Sequence, residues 1–332
     1  PITTNIGTGT ASNQLSAELK RALPSARDSL PGLRPEPVLA PDGRPERQPM
    51  TSDPDEMAII AKDFWSHIWS LGNPDAAAID AYLDKYQPQQ AELDIDKPTV
   101  DLVLDTIISS KNTAAGYDGI PFAAFRALAK YAGPVLHTVL LAFMDGNLPD
   151  GDFNAGLLFL LPKKDTQLAK DTRPISVGNT DTRLVAKCLL NSIIGTVVRP
   201  EVLDMAQKGS ITGRVGMDHV ADLSNAFYTA VEDQQADNLY ALFVDTRKAF
   251  DSVHHGFIRG VMKRKGFPGW VLNAINALLH DVRVTPFFGK LTDTWVGIKR
   301  GVKQGCPLSP VLFALCMDQL LRAMLEQQES SS

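Results

Sequence analysis

Two aspartates follow an apolar run in the stretch LYALFVDTRKAFD, Leu239 to Asp251. Leu239 to Val244 are apolar and rich in aromatic and β-branched types, which is the pattern of a buried strand. Asp245 ends the run, and Asp251 follows behind Ala249 and Phe250, where the pattern turns polar. A carboxylate at the end of a buried strand is costly unless something pairs with it, and a divalent cation is one such partner. A cap or turn is the plainer role for an aspartate there. Lys163, Lys164 and Arg173 lie at the mouth of a strand-and-loop unit that begins with the apolar run Leu157 to Leu161. Lysine grips a phosphate as a point charge and arginine as a two-pronged donor, although an exposed basic hairpin has the same composition. Gln304 and Gly305 stand in a polar loop ahead of a long apolar helix. Glutamine offers both a donor and an acceptor, and glycine permits close backbone approach.

The elements that must position these groups can be read from spacing. Residues 1–53 hold repeated prolines and no apolar period, so they read as extended or disordered chain. Asp53-Pro54 precedes a helical pattern carried by Met57, Ile60, Phe64, Ile68 and Trp69. Thr99 can cap a helix with apolar positions Val100, Val103, Leu104, Ile107 and Ile108, ending near Lys111. The segment KNTAAGYDGIP turns between glycines before Pro121 opens another helix, and a further helix runs from about Val135 to Met144. Leu184 to Val198 reads as a buried helix. The loop QKGSITGRVG, which is no GxxxxGK[ST] phosphate loop, precedes a helix starting near Asp218. His254 to Lys265 and Trp270 to His280 read as helices, and Val282 to Phe288 can pair with Thr294 to Ile298 around Gly289-Lys290. Pro310 suits the first turn of the helix after Gly305.

Composition sets the outer bounds. The chain has 332 residues, 44% hydrophobic and 21% charged, enough for one large domain or two ordinary ones with a substantial core. It opens on Pro1, which reads as part of a longer polypeptide. It shows no apolar leader and no run of eighteen apolar residues, so secretion and membrane spanning gain no support. Cys188, Cys306 and Cys316 are odd in number and form no CxxC, which points to a reducing compartment without structural zinc or disulfides. The net charge of −5 is unevenly spread: residues 51–160 carry −10 and residues 161–305 carry +6. The basic block contains the opening stretch and suits a polyanion partner, as it would suit a solvated lysine face.

Taken together, FVDTRKAFD, QGCPLSPVLFALCMDQLL and LPKKD…RPISVGNTDTRLVAKCL resemble three successive blocks of a reverse transcriptase, and KNTAAGYDGIP and QKGSITGR match further blocks in the right order. The resemblance is to non-LTR (LINE-type) retrotransposon polymerases and, more distantly, to group II intron reverse transcriptases. It covers about residues 97–325, and the stretch from Pro54 to Ser70 is similar to the segment these proteins place between endonuclease and polymerase. It implies an α+β right-hand polymerase fold, fingers and partial palm, mostly helical with a small antiparallel palm sheet. Residues 1–53 would be a Pro-rich disordered linker, 54–96 a helical N-terminal extension, and 97–332 an incomplete fingers and palm unit with its palm core at 239–325.

The resemblance also implies an activity and a site. The activity is RNA-directed DNA synthesis onto a primer 3′-hydroxyl, with an RNA template, a DNA primer, dNTPs and two Mg²⁺ ions, Mn²⁺ being the alternative. An endonuclease domain in the same polyprotein, no membrane, and an intracellular location in cytoplasm and nucleus go with it. Asp245 matches the aspartate that holds both ions, and the backbone carbonyl of Thr246 would help one of them. Phe250 matches the aromatic gate against a 2′-hydroxyl. Lys163, Lys164 and Arg173 match residues that hold the triphosphate, and Gln304 and Gly305 match the loop that shapes the nucleotide and template pocket. Asp251 is typical of the family without being a metal ligand in it, which favours a structural role. The chain departs from the pattern in one respect: it has no Asp-Asp pair, and beyond Gly305 its only carboxylates are Asp318, Glu326 and Glu329. A fragment inactive by itself is therefore expected; a non-catalytic scaffold of the same fold and a decayed retroelement remnant are the alternatives. Two geometric expectations follow. Leu239 to Val244 should be a central strand packed on the helix from Leu308 to Leu325, and Asp245, Phe250, Arg173, Lys163 and Gln304 should share one cleft.

Overall fold

The computed structural model describes residues 30–40, 44–70, 72, 74–163, 167–209, 211–233 and 243–329, with side chains described up to residue 324. In chain order the strands are Val38–Leu39 (β1), Pro45–Glu46 (β2), Ala155–Pro162 (β3), Thr172–Gly178 (β4), Arg283–Pro286 (β5) and Val296–Gly297 (β6). The helices are Pro54–Ser70 (α1), Ala76–Tyr86 (α2), Val100–Ser109 (α3), Phe122–Ala127 (α4), Ala129–Met144 (α5), Thr180–Val197 (α6), Met217–Glu232 (α7), Ala249–Ser252 (α8), His255–Arg264 (α9), Gly269–Leu279 (α10) and Ser309–Glu329 (α11).

Local chemistry explains several boundaries. Asp53 Oδ1 accepts from the backbone N–H groups of Asp55 and Glu56, 3.0 and 3.1 Å away, so α1 starts at Pro54, which has no N–H to satisfy. Thr99 caps α3 by accepting from the Leu102 N–H at 3.2 Å. Within the stretch read as disordered, the described part is ordered. Leu33 is fully buried and exchanges backbone hydrogen bonds of 3.0 and 2.9 Å with Thr51, while Arg34 N–H donates to the Gln167 carbonyl at 2.8 Å. One buried leucine and a ladder to distant backbone hold a proline-rich segment that lacks any periodic pattern.

A four-stranded sheet in the order β4–β3–β5–β6 forms the platform. β3 pairs antiparallel with β4, with Leu161 opposite Arg173, and β5 pairs antiparallel with β6, with Val284 opposite Val296. β3 and β5 run parallel. The sheet is therefore mixed, and the expectation of a purely antiparallel one is corrected. The long helical excursion between Gly178 and Arg283 is the crossover that a parallel pair requires. α1 lies on this sheet, burying Met57, Ala61, Trp65 and Trp69 against Leu158, Leu160, Val284, Val296 and Ile298. The larger core is helical, built from α3, α5, α6, α9, α10 and α11 around Ile107, Leu140, Leu189, Val261, Ile275 and Leu315.

The expected central strand is not formed at its described end. Residues 239–242 lie outside the described residues; Phe243 and Val244 belong to no strand and are 81% and 72% exposed. A central strand must pair its backbone on both sides. Among the described residues, the four strands of the sheet pair with one another and none of them pairs with Phe243 or Val244. The described part of α11 packs on α2 and α9 instead. One polar tie fixes that packing. Lys265 and Asp318 are both fully buried and meet at 2.6 Å, and the same Lys265 Nζ donates to the Val202 carbonyl at 2.6 Å. Asp318 also accepts from Arg322 Nε and from the Asp204 N–H, each at 2.8 Å.

Candidate functional site

Two short segments and a strand meet beside α1. The loop at 301–305 is tied to α8 by the Gly301 N–H, which donates to the Val253 carbonyl at 2.7 Å, and by the Val302 N–H, which donates to the Phe250 carbonyl at 2.8 Å. On its other side the Gln304 carbonyl accepts from the Ser176 N–H of β4 at 2.7 Å. Two glycines make this approach feasible. Gly301 has φ of 86° and Gly305 of 119°; a Cβ would lie 2.7 Å from the Asp251 carbonyl oxygen at the first and 2.5 Å from that of Ser176 at the second.

Between these segments lies a cavity of about 390 Å³. Lys163, Arg173, Thr246, Phe250, Gln304 and Gly305, read separately from the sequence, all line it. Asp245 is exposed and does not line it, although its neighbour Thr246 does. Lys164 lies outside the described residues. Phe250 is half-buried and stacked on Phe313, with ring centroids 4.4 Å apart at 21°, which fixes the ring as a wall.

Lining residues not singled out from the sequence include Lys248, Lys303, Ser309 and Thr172. Lys248 has φ of 52° and donates from Nζ to the Thr172 carbonyl at 3.0 Å. Its ammonium sits 4.1 Å from the Trp65 ring centroid, a cation–π contact, and burial pulls its pKa down to about 8. Lys303 is buried, which lowers its pKa as well. The positive charges flanking Phe250 and Gln304 in sequence were the available signal for both. Asp251, also lining the cavity, is only 3% exposed. Its two carboxylate oxygens accept from Trp69 Nε1 and Gln304 Nε2, each at 3.3 Å. Burial pushes its carboxyl up to about 6, against the hydrogen bonds and the Lys248 charge. Nothing in the sequence links Trp69 to Asp251.

Four cations and one carboxylate give the cavity a net positive lining, and α11 begins at its edge with Ser309 and Pro310. An anionic ligand with an apolar face against Phe250 fits it. A second cavity of about 720 Å³ shares Gly305 with the first and is lined by Lys111, Asn112, Thr113, Arg183 and Lys187 among others. Divalent metal does not fit so well. Among the described residues no group of three His, Cys, Asp or Glu side chains is placed to hold an ion, and Mg²⁺ prefers several oxygen ligands in octahedral array. None of the described helices is long and apolar enough to cross a membrane.

Residues 161–331, just over half of the chain, match the family described as reverse transcriptase (RNA-dependent DNA polymerase), and the chain belongs to that family. Among curated proteins it is similar to the transposon TX1 uncharacterized 149 kDa protein of Xenopus laevis, 28% identical over 86% of this chain and 21% of that protein. It is similar also to Pol polyproteins from type-1 retrotransposable element R2. The match in Nasonia vitripennis is 27% identical over 65% of this chain and 20% of that protein. In Popillia japonica it is 32% identical over 64% of this chain and 28% of that protein. These matches mark a reverse transcriptase domain of the non-LTR retrotransposon type, an RNA-directed DNA polymerase by family. The chain spans 20–28% of these relatives' own length.

Proposed function

We propose that the cavity at Phe250 is the dNTP site of a retroelement polymerase that extends a DNA primer on an RNA template within a right-hand fold. The observation that carries this reading is convergence. Lys163, Arg173, Phe250, Gln304 and Gly305 come from three separated stretches and line one cavity whose charge suits a triphosphate. In this reading Lys163 and Arg173 hold the phosphates, stacked Phe250 blocks a ribose 2′-hydroxyl, and Gln304 and Gly305 shape the floor. Gly305 also borders the second cavity, which supports a template path there. The partition into residues 54–96 and 97–332, an endonuclease elsewhere in the polyprotein, and work in cytoplasm and nucleus belong to the same proposal.

Two Mg²⁺ ions are part of the family reading, and the described residues do not supply their site. Asp245 is exposed and stands without a carboxylate cluster among the described residues. Further ligands would come from elsewhere in a longer polypeptide, so this chain alone is expected not to extend a primer. The same observation favours a second reading, a non-catalytic scaffold of the same fold. Primer extension by the full-length polypeptide carrying this chain separates the two. The wild type is expected to incorporate dNTPs. Phe250→Ala should keep DNA synthesis measurable while its preference for dNTP over rNTP falls by at least about tenfold, because a steric block is removed rather than a charge. A wild type with no extension, or unchanged discrimination in the variant, would contradict the assignment.

A further inference from the structure

We propose that Asp251 and Trp69 are positioning residues for Gln304, so that helix α1, which lies upstream of the family-matched segment, sets how well the pocket binds its nucleotide. This rests on the reading of the cavity as the nucleotide site.

Hydrogen-bond polarity carries the inference. Trp69 Nε1 can only donate, and an ionised carboxylate can only accept. Asp251 takes the indole N–H on one oxygen and the Gln304 amide N–H on the other, each at 3.3 Å. The amide is thereby oriented: its nitrogen faces Asp251, and its oxygen is left free of that bond. Trp69 is 2% exposed and Asp251 3%, so the link runs through the interior, from α1 to two residues that line the cavity. Asp251→Asn keeps the size but not the polarity: its N–H₂ must face either the Trp69 N–H, which cannot accept, or Gln304, whose amide would have to turn its oxygen inward.

A second tie from the same helix reaches two further lining residues, Lys248 and Thr172. Trp65, stacked on Trp69 with centroids 5.0 Å apart, lies under the Lys248 ammonium, which in turn holds the Thr172 carbonyl beside Arg173. α1 therefore underlies both the glutamine and the basic wall. Its two tryptophans also bury apolar area against the sheet. Packing alone, however, calls for aromatic rings, not for an indole N–H aimed at a carboxylate.

The test is steady-state primer extension with the full-length polypeptide carrying this chain, comparing wild type, Trp69→Phe, Asp251→Asn and Gln304→Ala. Trp69→Phe keeps an aromatic ring on α1 while deleting the N–H donor together with part of the buried indole. It is expected to raise KM for dNTP by about five- to tenfold, with a smaller change in kcat and with primer–template affinity near wild type; its unfolding midpoint falls because buried indole is lost, so the assays are run well below that midpoint. Asp251→Asn should act in the same direction. Trp69→Phe combined with Gln304→Ala should be no worse in KM than Gln304→Ala alone, because both act through one amide. If Gln304→Ala raises KM while Trp69→Phe and Asp251→Asn leave it unchanged, the positioning role is overturned and the nucleotide site stands. If Gln304→Ala itself leaves KM unchanged, the reading of the cavity fails, and the inference fails with it.

Discussion

Asp245→Ala in the full-length polypeptide is expected to leave the protein folded and to remove primer extension, with a loss on the order of 10³-fold or more. The reasoning has two parts. Asp245 is exposed, so the substitution should shift stability by no more than about 0.5 kcal/mol. The family pattern gives that carboxylate the role shared by both ions, so its loss should cost more than the loss of any one nucleotide contact. Gel-resolved extension on an RNA template, with the thermal unfolding midpoint measured on the same preparation, checks both halves. A variant that is folded and extends normally would remove Asp245 from the chemistry and favour the scaffold reading.

Asp318→Ala should have the opposite profile, with a large effect on stability. It leaves Lys265 charged, fully buried and without its carboxylate partner, which costs about 3–5 kcal/mol. Lys265→Met should cost less, because Asp318 keeps Arg322 and the Asp204 N–H. The acid limb of stability follows from the same contacts. Burial pushes the Asp318 carboxyl up, but the Lys265 charge and the hydrogen bonds from Lys265, Arg322 and Asp204 outweigh it and hold the group below its ordinary 3.8. Its stabilising contribution is therefore complete above about pH 4 and is lost as the pH falls through the lower folded value. Urea unfolding of wild type and Asp318→Ala between pH 3 and 7 should give a stability gap that narrows below about pH 4. A constant gap across that range would contradict the linkage.

Local signals in the sequence matched local structure. The Thr99 cap, Pro54 and Pro310 in first turns, the β5–β6 pairing, and the short apolar strand in 157–161 all depend on neighbours a few residues apart. The glycine-bearing loop before α11 was legible because two close backbone approaches exclude a Cβ. Long-range features were not legible. Parallel pairing of β3 with β5 depends on how a helical crossover packs, and no residue type encodes it. The order of residues 30–40 rests on one buried leucine in a proline-rich setting. Val244 looked like the end of a buried strand because hydrophobicity and β-branching describe what a segment can become, whereas pairing needs partner strands. The bond from Trp69 to Asp251 spans 182 positions, and an indole on an amphipathic helix reads as core by default.

The account turns on the cavity beside Phe250 being the nucleotide site, and photocrosslinking tests that most directly. A photoreactive dNTP is added to the full-length polypeptide bound to an RNA template and DNA primer, and the adduct is mapped by peptide mass. The expected adduct falls at residue 163 or within residues 172–178, 246–252 or 301–310 and drops by about tenfold in Arg173→Ala, which removes a two-pronged phosphate contact at the one exposed residue of β4. Labelling that maps outside these segments, with a yield indifferent to Arg173→Ala, would contradict the account.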